Sequence, residues 1–101
     1  MRVIVMFDLP VVTPAERREY TRFRKYLVKN GFLMMQESIY CKLAPNGSSA
    51  DAIVENVKKN KPIKGLVQAM KITEKQYSKI EFIVGSHTTE VLENDSRLVF
   101  L

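Results

Sequence analysis

Val3-Ile4-Val5-Met6-Phe7 is an unbroken apolar run that closes on Asp8, Leu9 and Pro10. A short run of this kind, rich in β-branched residues, predicts a strand over residues 2–8 that is covered on both faces. Pro10 cannot donate to a sheet ladder, so the strand stops at or before Leu9 and leaves one carboxylate, Asp8, at its carboxyl end. Thr13-Pro14-Ala15-Glu16 then reads as a helix start. Thr13 caps, Pro14 fits the first helical position, and Glu16 reaches back as in a capping box. That helix runs to about Asn30 and Gly31, with Tyr20, Phe23 and Leu27 at core-facing spacing. Residues 32–43 read as extended, either as one bent strand or as two short ones split near Gln36-Glu37. After the Pro45-Asn46-Gly47 turn signal, Ser48 and Ser49 open a second helix over about 49–60, with Ile53, Val54 and Val57 at helical spacing. Gly65 to Ile72 reads as a strand. Thr73-Glu74-Lys75-Gln76 repeats the capping-box pattern with room for about one turn. Ile80–Val84 reads as a further strand, residues 86–96 as a polar loop, and Arg97–Leu101 as a last apolar strand.

Strands interleaved with two helices in so short a chain predict an α+β fold, a ferredoxin-like two-layer sandwich of βαββαβ type. It spans 1–85. A loop and C-terminal strand, 86–101, follow and pair with a partner subunit. Two helices shield one face of a sheet. Yet Val3 to Phe7, and again Leu66, Val67, Ala69 and Met70, place apolar groups on both faces. That surplus exceeds what a soluble monomer usually exposes, and a two-fold homodimer, sheet against sheet, removes it. Arg97, Leu98, Val99, Phe100 and Leu101 fit the same scheme, since a terminal strand needs an edge to pair with. The alternative is a tail that folds back over its own sheet.

Composition narrows the class. The 101 residues are 46% hydrophobic, which argues for a folded domain and against disorder. There is no stretch near the ~20 apolar residues of a membrane span, nothing that reads as a signal peptide, and only one cysteine, so a cytoplasmic protein without membrane partners is expected. The net charge is +5 and unevenly placed. Arg2, Arg17, Arg18, Arg22, Arg24, Lys25 and Lys29 face only Asp8, Glu16 and Glu19 in the first thirty residues. The end of the chain instead carries Glu81, Glu90, Glu93 and Asp95. A basic front half suits an anionic partner, of which nucleic acid is the commonest large one.

Several stretches together resemble one family. They are the first strand ending in Phe7-Asp8-Leu9-Pro10, then Gly31-Phe32, Gln36-Glu37-Ser38-Ile39-Tyr40, Thr73-Glu74-Lys75-Gln76-Tyr77, Ile83-Val84-Gly85 and the tail Leu98-Val99-Phe100-Leu101. In that order and at this length the chain resembles the CRISPR-associated endoribonuclease family, small dimeric proteins that partner the CRISPR integrase in spacer acquisition. The Phe-Asp-Leu-Pro version looks most like members from type II systems. The resemblance implies a ferredoxin-like homodimer whose terminal strand crosses to the other subunit. It also implies that Asp8 is the metal-binding and catalytic aspartate, with Mg2+ as the metal and the two Asp8 carboxylates facing each other across the dimer axis.

Two functions follow, and they assign chemistry differently. In the first, a basic homodimer binds the backbone of duplex DNA and bridges integrase subunits without chemistry of its own. Arg18, Arg22, Lys25 and Lys29 step by four, three and four along one helix face, with Arg17 beside them, and such a row suits phosphate contacts that read no sequence. In the second, the Asp8 pair is a magnesium-dependent endonuclease site that cleaves RNA or DNA. A carboxylate pair meets the minimum for Mg2+, which keeps most of its waters. Many members of the family carry further polar or acidic residues directly after the aspartate. Here Leu9 to Val12 are wholly apolar, which weighs against cleavage. A third reading is a ferredoxin-like regulatory or RNA-binding module outside CRISPR systems.

Overall fold

A computed structural model describes residues 1–86. The expected strand Arg97–Leu101 and the acidic residues Glu90, Glu93 and Asp95 lie outside the described residues.

The chain runs β1 (Arg2–Asp8), α1 (Pro14–Lys29), β2 (Leu33–Gln36), β3 (Ile39–Leu43), α2 (Gly47–Lys59), β4 (Leu66–Ile72) and α3 (Glu74–Ser78). Four strands form one antiparallel sheet in the order β2-β3-β1-β4. This is the ferredoxin-like arrangement, with the all-apolar β1 in the interior of the sheet, as its composition requires. Residues 32–43 make two strands. They are joined by a tight turn at Glu37-Ser38, where Ser38 takes a left-handed φ of 65° and the ladder is irregular between Met34 and Gln36.

Alternation along β1 sorts its side chains by face. Val3, Val5 and Phe7 point to the helices and join Phe23 and Leu27 of α1, Ala50 and Val57 of α2, and Tyr40 of β3 in one core. Phe7 is its aromatic hub. Its ring lies 5.2 Å from Phe23 edge-to-face, 5.7 Å from Tyr40 and 6.0 Å from Tyr20, all within the range where aromatic pairs attract. The other face carries Ile4, Met6 and Asp8 of β1, Ile39, Cys41 and Leu43 of β3, and Leu66, Met70 and Ile72 of β4, as the strand register dictates.

Helix ends follow local rules. Thr13 and Glu16 form the reciprocal capping box of α1, and Thr73 and Gln76 form that of α3. Gly31, φ +91°, turns the chain out of α1. Two expectations need correction. α2 starts at Gly47, because the Asn46 side chain rather than Ser48 or Ser49 accepts the capping bond, from the Ser49 N–H. Ile80–Val84 is not a strand. Its apolar residues include Ile83 and Val84, both more than nine-tenths exposed. A strand needs a neighbouring edge, and the four strands of the sheet do not include this segment.

Candidate metal and nucleic-acid site

Asp8 stands where β1 ends, on the sheet face opposite α1 and α2. Its place is fixed by backbone contacts on both sides. The Phe7 N–H donates to the Ser38 carbonyl at 3.0 Å, which draws the β2–β3 turn alongside the strand end. On the other side Asp8 is paired in register with Leu66 of β4. Gly65 comes so close that a Cβ there would lie 2.8 Å from the Asp8 carbonyl oxygen. The outcome is a groove of about 260 Å³ lined by Met6, Phe7, Asp8, Glu37, Ser38, Ile39, Leu66 and Gln68. The Asp8 carboxylate is exposed and has no ion pair or hydrogen bond among the described residues. An unpaired carboxylate at a strand end is not a structural cap, and it is available to a cation.

Glu37 shares this groove, which sequence reasoning missed. It lies far from Asp8 along the chain, and only the hairpin turn brings it near. Among the described residues no three His, Cys, Asp or Glu side chains converge closely enough to hold a metal ion. One protomer thus offers one exposed carboxylate on a fixed backbone, with Glu37 in the same groove. That fits a water-rich magnesium site and does not fit a closed cage. Cys41, on the same sheet face, is buried, and desolvation raises its thiol above the usual value of 9.0. A thiol so placed is a packing group and not a nucleophile.

The α1 cations singled out from the sequence divide into two sets. Arg18, Lys25 and Lys29 are exposed and have no ion pair or hydrogen bond among the described residues. They form a row of unpaired charges suited to phosphates. Arg17 and Arg22 are engaged. Arg17 Nη1 donates to the Val11 and Val12 carbonyls at 3.2 and 2.7 Å. Arg22 pairs with Glu19 at 3.1 Å, and its Nη2 donates to the Asn60 and Lys61 carbonyls, each at 3.2 Å. Helical spacing places all these cations on one side of α1, but it gives no sign of the loops that two of them hold.

The fold and this site define a small ferredoxin-like α+β protein with a free carboxylate at the end of its first strand and a cationic first helix. Residues 1–80 match the family model described as CRISPR associated protein Cas2. A CRISPR-associated endoribonuclease Cas2 from Treponema denticola is 55% identical over 101 residues, which cover 100% of both chains. One from Streptococcus mutans is 44% identical over 100% of this chain and 93% of its own. A crystal structure of Streptococcus pyogenes Cas2 has the same fold, with a TM-score of 0.60 and 21% identity over 84% of this chain and 100% of that one. The protein belongs to the Cas2 family of CRISPR-associated proteins. Among its described residues no helix is long and apolar enough to cross a membrane.

Proposed function

We propose that the protein is a CRISPR adaptation protein, a basic cytoplasmic homodimer that grips the backbone of duplex DNA and bridges integrase subunits during spacer acquisition. The observation that carries this reading is the sheet face opposite α1 and α2. Leu33, Leu43, Leu66 and Met70 on that face are each roughly half exposed, at 54, 60, 55 and 47%. Exposed apolar side chains on one sheet face are costly in water and favour a self-complementary two-fold contact. In such a dimer Arg97, Leu98, Val99, Phe100 and Leu101 of 86–101 would add a strand to the partner's sheet. The free cations Arg18, Lys25 and Lys29 of both subunits would then track phosphates along one duplex.

A second reading concerns Asp8. The relatives from Treponema denticola and Streptococcus mutans carry the name endoribonuclease, and the Asp8 carboxylate is unpaired in a groove it shares with Glu37. Asp8 and its counterpart in the second subunit would hold Mg2+, a cation that lowers the pKa of bound water and stabilises charge on phosphate. The chain's own part would be to orient that carboxylate through the fixed backbone of Phe7, Ser38 and Gly65.

Asp8→Ala separates the two readings. In a cell-based spacer-acquisition assay the adaptor role predicts retained acquisition, because DNA binding and the dimer do not need the carboxylate. Lost acquisition together with lost magnesium-dependent cleavage of RNA or duplex DNA would instead establish the nuclease role. Charge reversal of Arg18, Lys25 and Lys29 that left acquisition intact would overturn the adaptor role.

A further inference from the structure

Three charged side chains of α1 close on the α2–β4 connection. Glu16, Glu19 and Arg22 follow one another at a spacing of three, so they lie along one side of the helix. Arg22 Nη2 donates to the Asn60 and Lys61 carbonyls, each at 3.2 Å. Its Nε and Nη2 also donate to the two Glu19 oxygens, at 3.1 and 3.2 Å. The Glu19 carboxyl is held below its usual value first by Arg22 and, to a smaller extent, by a hydrogen bond from the Ile63 backbone N–H. Glu16 Oε2 lies 3.9 Å from Lys64 Nζ. Its Oε1 accepts from the Val12 and Thr13 N–H groups, so Glu16 touches the connection that leaves β1 as well.

This hold reaches Asp8 by a short, stiff path. Pro62 has a fixed φ, and Gly65 follows Lys64 directly. Gly65 leaves no slack, since a Cβ there would lie 2.8 Å from the Asp8 carbonyl oxygen and 3.1 Å from Leu9 Cα. Leu66 then pairs in register with Asp8. The Asp8 carboxylate has no hydrogen-bond partner among the described residues, so the backbone that carries it sets its direction.

Arg22 alone could serve as a cap, satisfying carbonyls that α2 leaves open at its end. Glu16 and Glu19 extend the hold beyond a cap. Their contacts at Ile63 and Lys64 lie past the helix, on the residues that lead into Gly65. We infer that Glu16, Glu19 and Arg22 form a clasp on residues 60–64 that fixes the junction of β1 and β4 and so aims the Asp8 carboxylate, with Arg22 a positioning residue for the cation site; the inference rests on the magnesium reading of Asp8 proposed above.

The test is nuclear magnetic resonance on the full chain, reading amide hydrogen exchange and a Mg2+ titration in the wild type, Arg22→Ala and Arg22→Lys. Arg22→Ala is expected to speed exchange at Asp8 and Leu66 by about tenfold while Tyr40 and Cys41 of β3 keep their rates. It is also expected to weaken Mg2+ binding by roughly tenfold, the size of loss typical when a support behind a metal ligand is removed. Arg22→Lys keeps the charge without the planar fork, and an intermediate effect on both readings is expected. Faster exchange confined to Val57, Lys58 and Lys59 would reduce Arg22 to a cap and overturn the clasp, as would equal acceleration across the whole sheet. Mg2+ affinity equal to wild type in Arg22→Ala, with exchange at Asp8 and Leu66 accelerated, would overturn the positioning role alone. A wild-type chain that binds no Mg2+ would overturn the metal reading itself, and the positioning role with it.

Discussion

Gly65 and Asp8 meet backbone to backbone. A side chain at Gly65 would place its Cβ 2.8 Å from the Asp8 carbonyl oxygen and 2.7 Å from Leu9 Cδ2, and Gly65 has φ +102°. Only glycine relieves both constraints at once. Gly65→Ala is therefore expected to destabilise the protein by about 1–3 kcal/mol, as strained backbone positions do. For a domain of this size that lowers the melting temperature by roughly 4–8 °C for each kcal/mol. The same change would displace the end of β1, so the magnesium binding proposed for Asp8, measured by calorimetry, should weaken in parallel. An unchanged melting temperature would show that the β4 entry moves freely.

Arg2 ties α3 to the sheet. Its Nε lies 3.1 and 2.9 Å from the two Glu74 oxygens, and its Cζ sits 3.9 Å from the centre of the Tyr77 ring. The planar guanidinium serves both contacts, whereas an ammonium cannot match that geometry. The ion pair is half exposed, so it contributes at most about 1 kcal/mol, and the ring contact adds about 0.5–1 kcal/mol. Arg2→Lys is expected to lose about half of this combined stabilisation. A double-mutant cycle of Arg2→Ala and Glu74→Ala in urea should show positive coupling, and simple additivity would contradict the pairing.

Acid should loosen the start of α1. The Glu16 carboxyl is held below its usual value of 4.5, first by the hydrogen bond from the Thr13 backbone N–H and then by that from Val12 and by Lys64. Glu19 is held down chiefly by Arg22. A depressed native value means that the unfolded chain binds protons more readily. Stability from these groups is thus complete above the usual carboxylate value and is lost as pH falls through the lower folded values. The urea midpoint should fall as pH drops below the usual carboxylate value of 4.5, and Glu16→Gln should flatten that fall. At neutral pH Thr13→Ala should cost about 1 kcal/mol. A Glu16→Gln profile identical to wild type would exclude the cap as its source.

The two sets of α1 cations predict different phenotypes. Replacing Arg18, Lys25 and Lys29 with Gln should weaken duplex DNA binding and reduce the salt dependence by about 0.9 in slope for each phosphate that is no longer neutralised. Arg22→Ala should lower the unfolding temperature as well, because it releases the Asn60 and Lys61 carbonyls. Fluorescence anisotropy across a salt series, set beside thermal melts, reads both effects. An Arg22→Ala protein with native stability would return Arg22 to the free set.

What could be read from the sequence was what neighbouring residues decide. The β1 run, the Thr13–Glu16 and Thr73–Gln76 boxes and the Gly31 stop each depend on a few adjacent positions, and each is present in the structure. Features that need distant partners were not legible. Glu37 reaches the Asp8 groove only because Ser38 accepts from Phe7. Arg22 is tethered by carbonyls from another element. Ile80–Val84 has strand-like composition, yet composition alone provides no edge for it to pair with.

Sedimentation equilibrium at micromolar concentration, with and without a short duplex DNA, tests the exposed apolar residues of the sheet face opposite α1 and α2, and the function built on them, most directly. A species of twice 11.6 kDa that binds duplex as a unit is the predicted result. A monodisperse 11.6 kDa monomer that stays single in the presence of duplex DNA would contradict it.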